Sequence, residues 1–129
     1  MSYLFLAIGG AIGTLLRFAL ALLIEGRFDR LTFPWGTFAI NLTGSLLIGF
    51  AAGYSSSHSV SPEAKLFIFV GLLGGFTTFS SLALEGFSLF RNGQAAMAVI
   101  YLLSSNIAGV LLAFLGYYIG NGFSLTPKH

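Results

Sequence analysis

Residues 71–85 read Gly71-Leu72-Leu73-Gly74-Gly75-Phe76-Thr77-Thr78-Phe79-Ser80-Ser81-Leu82-Ala83-Leu84-Glu85. This stretch lies within a hydrophobic segment, yet it begins with three glycines and continues with five hydroxyl or carboxyl side chains. Paired glycines lower helix propensity, and backbone groups left unpaired inside a bilayer need protein or a polar cavity around them. The stretch therefore predicts a transmembrane helix broken at Gly74-Gly75, next to a protein interface and the functional site.

The composition of the chain is typical of a membrane protein. Of its 129 residues, 56% are hydrophobic and 8% are charged, whereas soluble domains average about 25% charged residues. The absence of cysteine excludes disulfides and thiolate metal sites. The net charge of +2 is too small and too scattered to indicate nucleic-acid binding. The first hydrophobic segment has no basic start and is too long for a cleavable signal peptide.

Four hydrophobic segments each approach the ~20 residues that a membrane-spanning helix needs. They are Tyr3 to Ile24, Phe33 to Tyr54, Lys65 to Phe90 and Ala95 to Ile119. Short polar connectors separate them. The predicted fold class is an all-α membrane protein, with four transmembrane helices in a single domain over residues 1–129.

The basic residues in the connectors and at the ends of the spans are divided almost evenly between the two sides of the membrane. Lys65 and Lys128 lie on the side of both termini, and Arg27, Arg30 and Arg91 lie on the other side. Cytoplasmic loops are normally enriched in Lys and Arg. A near-tie allows the chain to insert in both orientations and to form an antiparallel dimer. The alternative is a fixed topology set by a weak bias.

Glycines recur at four-residue spacing within the segments. The pairs are Gly9 and Gly13, Gly49 and Gly53, Gly71 and Gly75, and Gly116 and Gly120. Small residues at this spacing let helices approach closely. When four helices, each about 10 Å wide, form a bundle, side chains fill its centre and leave no conduit for an ion. Since the chain has 17 glycines, more than the interior of one bundle requires, we expect a homo-oligomer.

Polar side chains inside the first two spans have two interpretations each. Arg17 either extends its charge to the membrane interface or provides a positive charge at a pore mouth. Thr37, Asn41 and Ser45 share one face of a helix because they recur every four residues. That face either joins helices or offers hydrogen-bond donors to a permeating anion.

Glu85 is the one carboxylate well inside a span, and an acid at such depth is a candidate functional group. Ser81 lies one turn before it and Thr78 on the same side, so hydroxyls lead toward the carboxylate. On the fourth span, Tyr101 and Ser105 form another polar pair four residues apart. Membrane serines also commonly bond carbonyls of their own helix, which is the structural alternative.

The remaining candidates point away from catalysis. Phe79 and Leu82 share a helix face, a spacing that by itself indicates packing. His58 and His129 have no partner at metal-ligand spacing, and the chain contains no phosphate-binding loop, dinucleotide fingerprint or nucleophile elbow. We therefore expect that the protein is not an enzyme.

Three motifs occur in order along the chain. They are Gly9-Gly10-Ala11-Ile12-Gly13-Thr14-Leu15-Leu16-Arg17, then Phe33-Pro34-Trp35-Gly36-Thr37 with Asn41-Leu42-Thr43-Gly44, then Gly71 to Glu85. The run Gly-Gly-Phe-Thr-Thr-Phe-Ser-Ser in the last is the most specific. In these motifs the chain resembles the Fluc (CrcB-type) fluoride channels over essentially its whole length.

The resemblance implies an assembly and a set of residue roles. The assembly is an antiparallel, dual-topology homodimer with two pores, and a structural Na⁺ at its centre is bound by the backbone carbonyls of Gly74 and Thr77. Arg17 matches the vestibule arginine. The implied pore-lining residues are Asn41, Phe79, Leu82, Ser80, Ser81, Tyr101, Ser105 and Glu85. Leu82 stands where the family has a second phenylalanine, so one ring edge of partial positive charge is absent.

The function implied by the resemblance is passive, fluoride-selective conduction that exports cytoplasmic fluoride across the cell inner membrane. A first alternative is a small proton-coupled multidrug exporter, which also has four spans and dual topology. That mechanism needs an acid at the centre of the drug site, whereas Glu85 lies late in the third segment. A second alternative is a structural membrane subunit without transport activity.

Overall fold

The computed structural model describes residues 1–28 and 33–127, and every regular element within them is helical. Arg30, Lys128 and His129, used above in the prediction of orientation and in the search for metal ligands, lie outside the described residues. The helices are α1 (Ser2–Glu25), α2 (Trp35–Ser57), α3 (residues 62–76), α4 (Phe79–Arg91) and α5 (Ala95–Gly120).

Four of these helical stretches are long and apolar enough to cross a membrane. They are Ser2–Glu25, Trp35–Ser57, the pair α3 and α4 over Pro62–Arg91, and Ala95–Gly120. Each agrees with a predicted segment to within three residues at either end. At most 28% of the most apolar window of any span is buried inside the single chain, so much of the apolar surface is left for lipid or for another chain. The predicted all-α, multi-pass membrane fold is confirmed.

Helices α2 and α5 approach so closely that only glycine fits at their crossing. A Cβ atom on Gly49 would lie 2.1 Å from the Ala113 carbonyl oxygen, and one on Gly116 would lie 2.2 Å from the Leu46 carbonyl oxygen. Gly53 and Gly120 make equivalent contacts with the backbone of the facing helix. The predicted use of four-residue glycine spacing for close helix approach is therefore confirmed for this pair.

Helix α1 packs against α3 by the same means. A Cβ atom on Gly13 would lie 2.1 Å from the Leu72 carbonyl oxygen, and one on Gly75 would lie 2.8 Å from the Gly10 carbonyl oxygen. The part of α3 that contacts α1 is irregular, because residues Leu66–Leu72 form a π-helix. This wider turn was not predicted from the sequence.

The third span is interrupted, as predicted, but the non-helical residues are Thr77 and Thr78. Gly74 and Gly75 stay in the last turn of α3, which ends at Phe76, and α4 begins at Phe79. Gly75 remains helical because its backbone is packed against α1. Thr78 adopts an extended conformation because its side chain caps α4, accepting a hydrogen bond from the Ser81 N–H. The glycine pair thus precedes the break by two residues.

A small hydrophobic cluster holds α4 on α5. It consists of Leu82, Leu89, Ala98 and Tyr101, with Phe33 and Phe38 packed against it. Tyr101 is fully buried, and the ring of Phe33 meets it edge-on with the centroids 5.3 Å apart. This cluster fixes the position of α4 after the break.

Candidate functional site

The break between α3 and α4 leaves backbone carbonyls without their usual partners. In a continuous helix each carbonyl accepts from the N–H four residues later, and the last carbonyls of α3 lose those partners. The Leu73 carbonyl is still satisfied, because it accepts from the N–H of Thr77 at 3.0 Å and from its hydroxyl at 2.9 Å. The carbonyls that follow depend on groups outside the helix.

Asn41 in α2 clamps the break through two hydrogen bonds to Thr78. Its Nδ2 donates to the Thr78 carbonyl at 3.0 Å, and the Thr78 N–H donates to its Oδ1 at 2.8 Å. The carboxamide of Asn41 thereby satisfies both backbone groups of Thr78 at the break. The predicted alternatives for Asn41, helix joining and anion donation, are compatible, because a carboxamide has two N–H groups and only one is used here.

Two carbonyls at the break have lost their amide partners to side chains. The Thr78 N–H, which a continuous helix would direct to the Gly74 carbonyl, donates to Asn41 instead. The Ser81 N–H, the corresponding partner of the Thr77 carbonyl, donates to Thr78 Oγ1 at 3.2 Å. Hard cations take oxygen ligands such as backbone carbonyls. The carbonyls of Gly74 and Thr77 therefore fit the Na⁺ site implied by the resemblance.

Arg17 lies beside these carbonyls. Its Nε donates to the Gly75 carbonyl at 3.1 Å, and the residue is partly buried. The contact gives the Gly75 carbonyl a partner that the break removed. It favours a positive charge held at the site over a side chain extended to the membrane interface.

The serines after the break belong to the cap of α4. Thr78 Oγ1 donates to Ser81 Oγ at 3.1 Å and lies 3.5 Å from Ser80 Oγ. Ser81 is partly buried and Ser80 is exposed. These three hydroxyls form a local polar group at the start of α4.

A cavity of about 270 Å³ lies beside the break. This break cavity is lined by, among others, Asn41, Thr78, Phe79, Leu82, Ser105 and Asn106. Its volume is well above the about 10–15 Å³ of accessible space that one water molecule needs. Four predicted pore residues, from α2, α4 and α5, thus meet at one cavity.

The break cavity is chemically incomplete in two respects. Ser105 is 7% exposed, and its Oγ is buried with no hydrogen-bond partner among the described residues. A buried polar group without a partner costs about 1–3 kcal/mol, so the hydroxyl is suited to binding a ligand. Phe79 is 79% exposed although Leu82, on the same cavity wall, is only 7% exposed. A side chain as large as Phe79 is left uncovered by its own chain.

Glu85 is the centre of a second polar cluster. Thr37 Oγ1 donates to its Oε1 at 2.7 Å, and the hydroxyl of Tyr101 donates to its Oε2 at 2.7 Å. The carboxylate is partly buried, and both of its oxygens are satisfied by hydroxyls from two other helices. Among the described residues, Glu85 is therefore held in place by these two short hydrogen bonds.

Glu85 faces a second cavity, of about 280 Å³, at the end of the bundle. This terminal cavity is also lined by Glu25, Trp35, Thr37, Asn92 and Gln94. Leu82 lines the break cavity and Glu85 lines the terminal cavity, and three helical residues correspond to a rise of about 4.5 Å. The two cavities are neighbours along α4.

The predicted site residues fall into two groups in the structure. The first group surrounds the break and consists of Asn41, Phe79, Ser80, Ser81, Leu82 and Ser105, together with Gly74, Thr77 and Arg17 beside the freed backbone carbonyls. The second group consists of Tyr101 and Glu85. The hydroxyl track is divided, because Ser81 is bonded to Thr78, Glu85 to Thr37 and Tyr101, and Ser105 to no described residue. The proposed roles of these residues in a pore stay predictions.

Three residues at the site were not among the pore-lining residues expected from the sequence: Thr37, Thr78 and Asn106. The signal for Thr37 was its position on the same helix face as Asn41, but its partner Glu85 is 48 residues away. Thr78 and Asn41 are 37 residues apart. Local patterns cannot reveal pairings over such separations.

Comparison with known proteins gives concordant results. Residues 4–117 match the family described as "CrcB-like protein, Camphor Resistance (CrcB)". A protein of Thermus thermophilus is 47% identical over 118 residues, which cover 92% of this chain and 94% of the relative. A protein of Parabacteroides distasonis is 44% identical over 123 residues, which cover 95% of each chain. Both relatives are named "Fluoride-specific ion channel FluC".

Proposed function

Because the chain belongs to the CrcB-like protein family, we propose that it forms a fluoride-selective passive channel in the cell inner membrane. The resemblance seen in the sequence motifs is confirmed by this membership, and so is the expectation that the protein is not an enzyme. The observation that carries the proposal is the donor-lined break cavity, in a chain similar over 92–95% of its length to proteins named as fluoride-specific channels.

The chemistry of the break cavity suits a small, strongly hydrated anion. Such an ion enters a narrow path only where donors replace its water. Among the described residues, the Ser105 hydroxyl has no hydrogen-bond partner, and Asn41 has one N–H beyond its bond to Thr78. Ring edges such as those of Phe79 carry weak positive potential and do not hold an anion tightly. Chloride is larger and a poorer acceptor, so the same path disfavours it.

The route we propose runs from the break cavity along α4 to the terminal cavity. Fluoride leaving Ser105 passes Leu82 and then reaches the hydroxyls of Thr37 and Tyr101. When no fluoride is bound, those hydroxyls donate to Glu85. The carboxylate and the ion therefore use the same donors in turn. Repulsion between Glu85 and the ion keeps fluoride from binding so tightly that conduction stops.

A second copy of the chain, inserted in the opposite orientation, completes each pore in this proposal. Phe79 is 79% exposed in the single chain. Gly74 is exposed as well, and a Cβ atom there would meet nothing closer than 3.6 Å within its own chain. A glycine that its own chain does not require, beside an uncovered phenylalanine, supports contact with another chain at the break.

The Gly74 and Thr77 carbonyls of both copies would hold Na⁺ at the centre of the dimer. A bound cation supplies positive potential that attracts anions into the adjacent cavities. Arg17, bonded to the neighbouring Gly75 carbonyl, adds a fixed positive charge at the same place. In this proposal fluoride leaves the cytoplasm passively, down its own gradient, so no nucleotide-binding motif is needed.

Fluoride efflux from liposomes tests this function. Vesicles loaded with potassium fluoride and containing the purified protein are expected to release fluoride rapidly once a potassium ionophore carries the compensating charge, and chloride-loaded vesicles treated in the same way to release chloride far more slowly. Efflux equal to that of protein-free vesicles would refute the proposal. Proton-coupled uptake of a quaternary ammonium compound by the same vesicles would favour the multidrug exporter instead.

A further inference from the structure

Asn106 is a polar residue on the outer face of α5 at mid-span. The helix rise places it about 17 Å from Ala95 and about 21 Å from Gly120, so it lies near the centre of the bilayer. It is exposed in the single chain, with Ile107 and Leu103 as exposed apolar neighbours at 59% and 56%. A carboxamide at that depth is costly when it faces hydrocarbon. Polar surroundings in an assembled protein would remove that cost.

Only part of the hydrogen-bonding capacity of Asn106 is used within the chain. Its Nδ2 donates to the Leu102 carbonyl at 2.7 Å, one turn earlier on α5. That bond fixes the side chain against its own helix. A carboxamide has a second N–H, and the part of the chain that the structure describes offers it no acceptor.

Asn106 adjoins the break cavity. Asn106 lines that cavity together with Ser105, whose buried hydroxyl also has no partner among the described residues. Leu82 contributes only an aliphatic wall, and Phe79 stands exposed at the same opening. Two unpaired donors on consecutive residues of α5 thus lie at one cavity, one buried and one at its open side.

We propose that Asn106 is a fluoride-binding residue, whose second N–H receives the ion at the open side of the break cavity and passes it to Ser105. This assignment rests on the proposed channel function. It adds a hydrogen-bond donor to the break cavity, where Leu82 contributes only aliphatic atoms. The competing role for an exposed mid-span amide is a hydrogen bond to a second copy that stabilises the dimer only. The two roles differ in whether the concentration dependence of fluoride flux changes.

Fluoride efflux from liposomes, measured over a range of fluoride concentrations, tests the assignment with Asn106→Leu. Leucine has a similar size and no polar atoms. Flux at low fluoride is expected to fall about tenfold, the effect of losing one hydrogen bond to a charged partner. The fluoride concentration for half-maximal flux is expected to rise, while the protein elutes as the same oligomer as the wild type. Asn106→Gln, which keeps the N–H donor, is expected to recover part of the flux.

Two further variants make the result decisive. Ile107→Leu, at the next exposed position of α5, is expected to leave flux unchanged. Asn106→Asp carries the test if Asn106→Leu does not fold, because aspartate keeps the shape and lacks the donor; an equal or larger loss is expected. Wild-type flux from Asn106→Asp would then overturn the assignment.

The outcomes separate the assignment from the channel function. A wild-type protein that releases no fluoride contradicts the channel proposal itself. A conducting wild type with equal flux from Asn106→Leu overturns the role of Asn106 and leaves the channel intact. Reduced flux from Asn106→Leu with loss of the oligomer also overturns it, because Asn106 then joins the two copies.

Discussion

Glycines serve two different parts of this molecule, and the surroundings they meet there differ. Where α2 crosses α5, Cβ atoms on Gly49 and Gly116 would lie 2.1 and 2.2 Å from backbone oxygens of the facing helix. At the break, a Cβ atom on Gly74 would meet nothing closer than 3.6 Å. The first surface is complete within one chain, whereas the second is open.

The polar groups follow the same division. At the α2–α5 crossing, glycines of each helix lie against backbone atoms of larger residues on the facing helix. The break is surrounded by side chains that redirect backbone hydrogen bonds. Ser105 has no hydrogen-bond partner there among the described residues, and Phe79 is largely exposed. The contrast separates a region whose contacts are completed within one chain from the region where the proposed function places the ion and the second copy.

The largest effect is expected from Gly116→Val at the α2–α5 crossing. Its branched side chain must displace backbone rather than a flexible side chain, and overpacking of that kind is strongly destabilising. Little folded protein should be recovered in detergent, as measured by size-exclusion chromatography. Gly10→Ala is the control, because a Cβ atom there meets nothing within 4 Å. Normal recovery of Gly116→Val would contradict the close approach of the two helices.

The next effect is expected from Asn41→Asp at the break. The carboxylate cannot donate to the Thr78 carbonyl and adds negative charge beside the fluoride path, so efflux from liposomes should fall by about tenfold or more. Ser57→Asp places the same charge at the end of the same helix, away from the break cavity, and should conduct normally. Undiminished flux from Asn41→Asp would exclude Asn41 from the pore.

A smaller effect is expected from Tyr101→Phe. The change removes one of the two hydroxyls bonded to Glu85, which should lower the free energy of unfolding by about 1–3 kcal/mol and slow fluoride efflux. Thermal unfolding in detergent and the liposome assay measure the two effects. Tyr118→Phe, on a partly exposed ring of the same helix, should change neither. A Tyr101→Phe protein with wild-type stability and flux would show that the Glu85 cluster has no role.

The smallest effect is expected from removing a helix cap, and it distinguishes a loss of stability from a loss of fluoride flux. Thr78→Val and Ser61→Ala each remove a hydroxyl that caps a helix N-terminus, and each should cost about 1 kcal/mol of stability. Only Thr78→Val should also reduce fluoride flux, because only Thr78 lines the break cavity. Equal flux from the two variants would mean that the break cavity is not on the ion path.

Much of the fold could be predicted from the sequence, because hydropathy and segment length determine the number and position of the spans. The interruption of the third span was also predictable from Gly74-Gly75. Its position to the residue was not, since Thr78 is extended only through the cap it forms for α4 and the clamp from Asn41, a residue 37 positions earlier. The π-helix at Leu66–Leu72 depends on packing against α1 and left no local signal.

The site was predictable in its members but not in its pairings. Asn41, Ser105 and Glu85 were candidates as polar groups at membrane depth, and the structure brings the first two to one cavity. Glu85 and Thr37 pair between two helices and are 48 residues apart in the sequence. The lack of a hydrogen-bond partner for Ser105 among the described residues depends on how all the helices pack. Asn106 was not singled out as a site residue, because its position beside the break cavity can be seen only in the structure.

In the proposed channel, the exposed residues Gly74 and Phe79 beside the break contact a second copy of the chain, and fluoride passes beside that contact. Crosslinking of Gly74→Cys with a short thiol-reactive reagent in membranes tests this contact, since the chain has no native cysteine. An efficient covalent dimer is expected for Gly74→Cys and none for Leu111→Cys, a position 63% exposed on α5. A Gly74→Cys protein that remains monomeric under these conditions would exclude the contact.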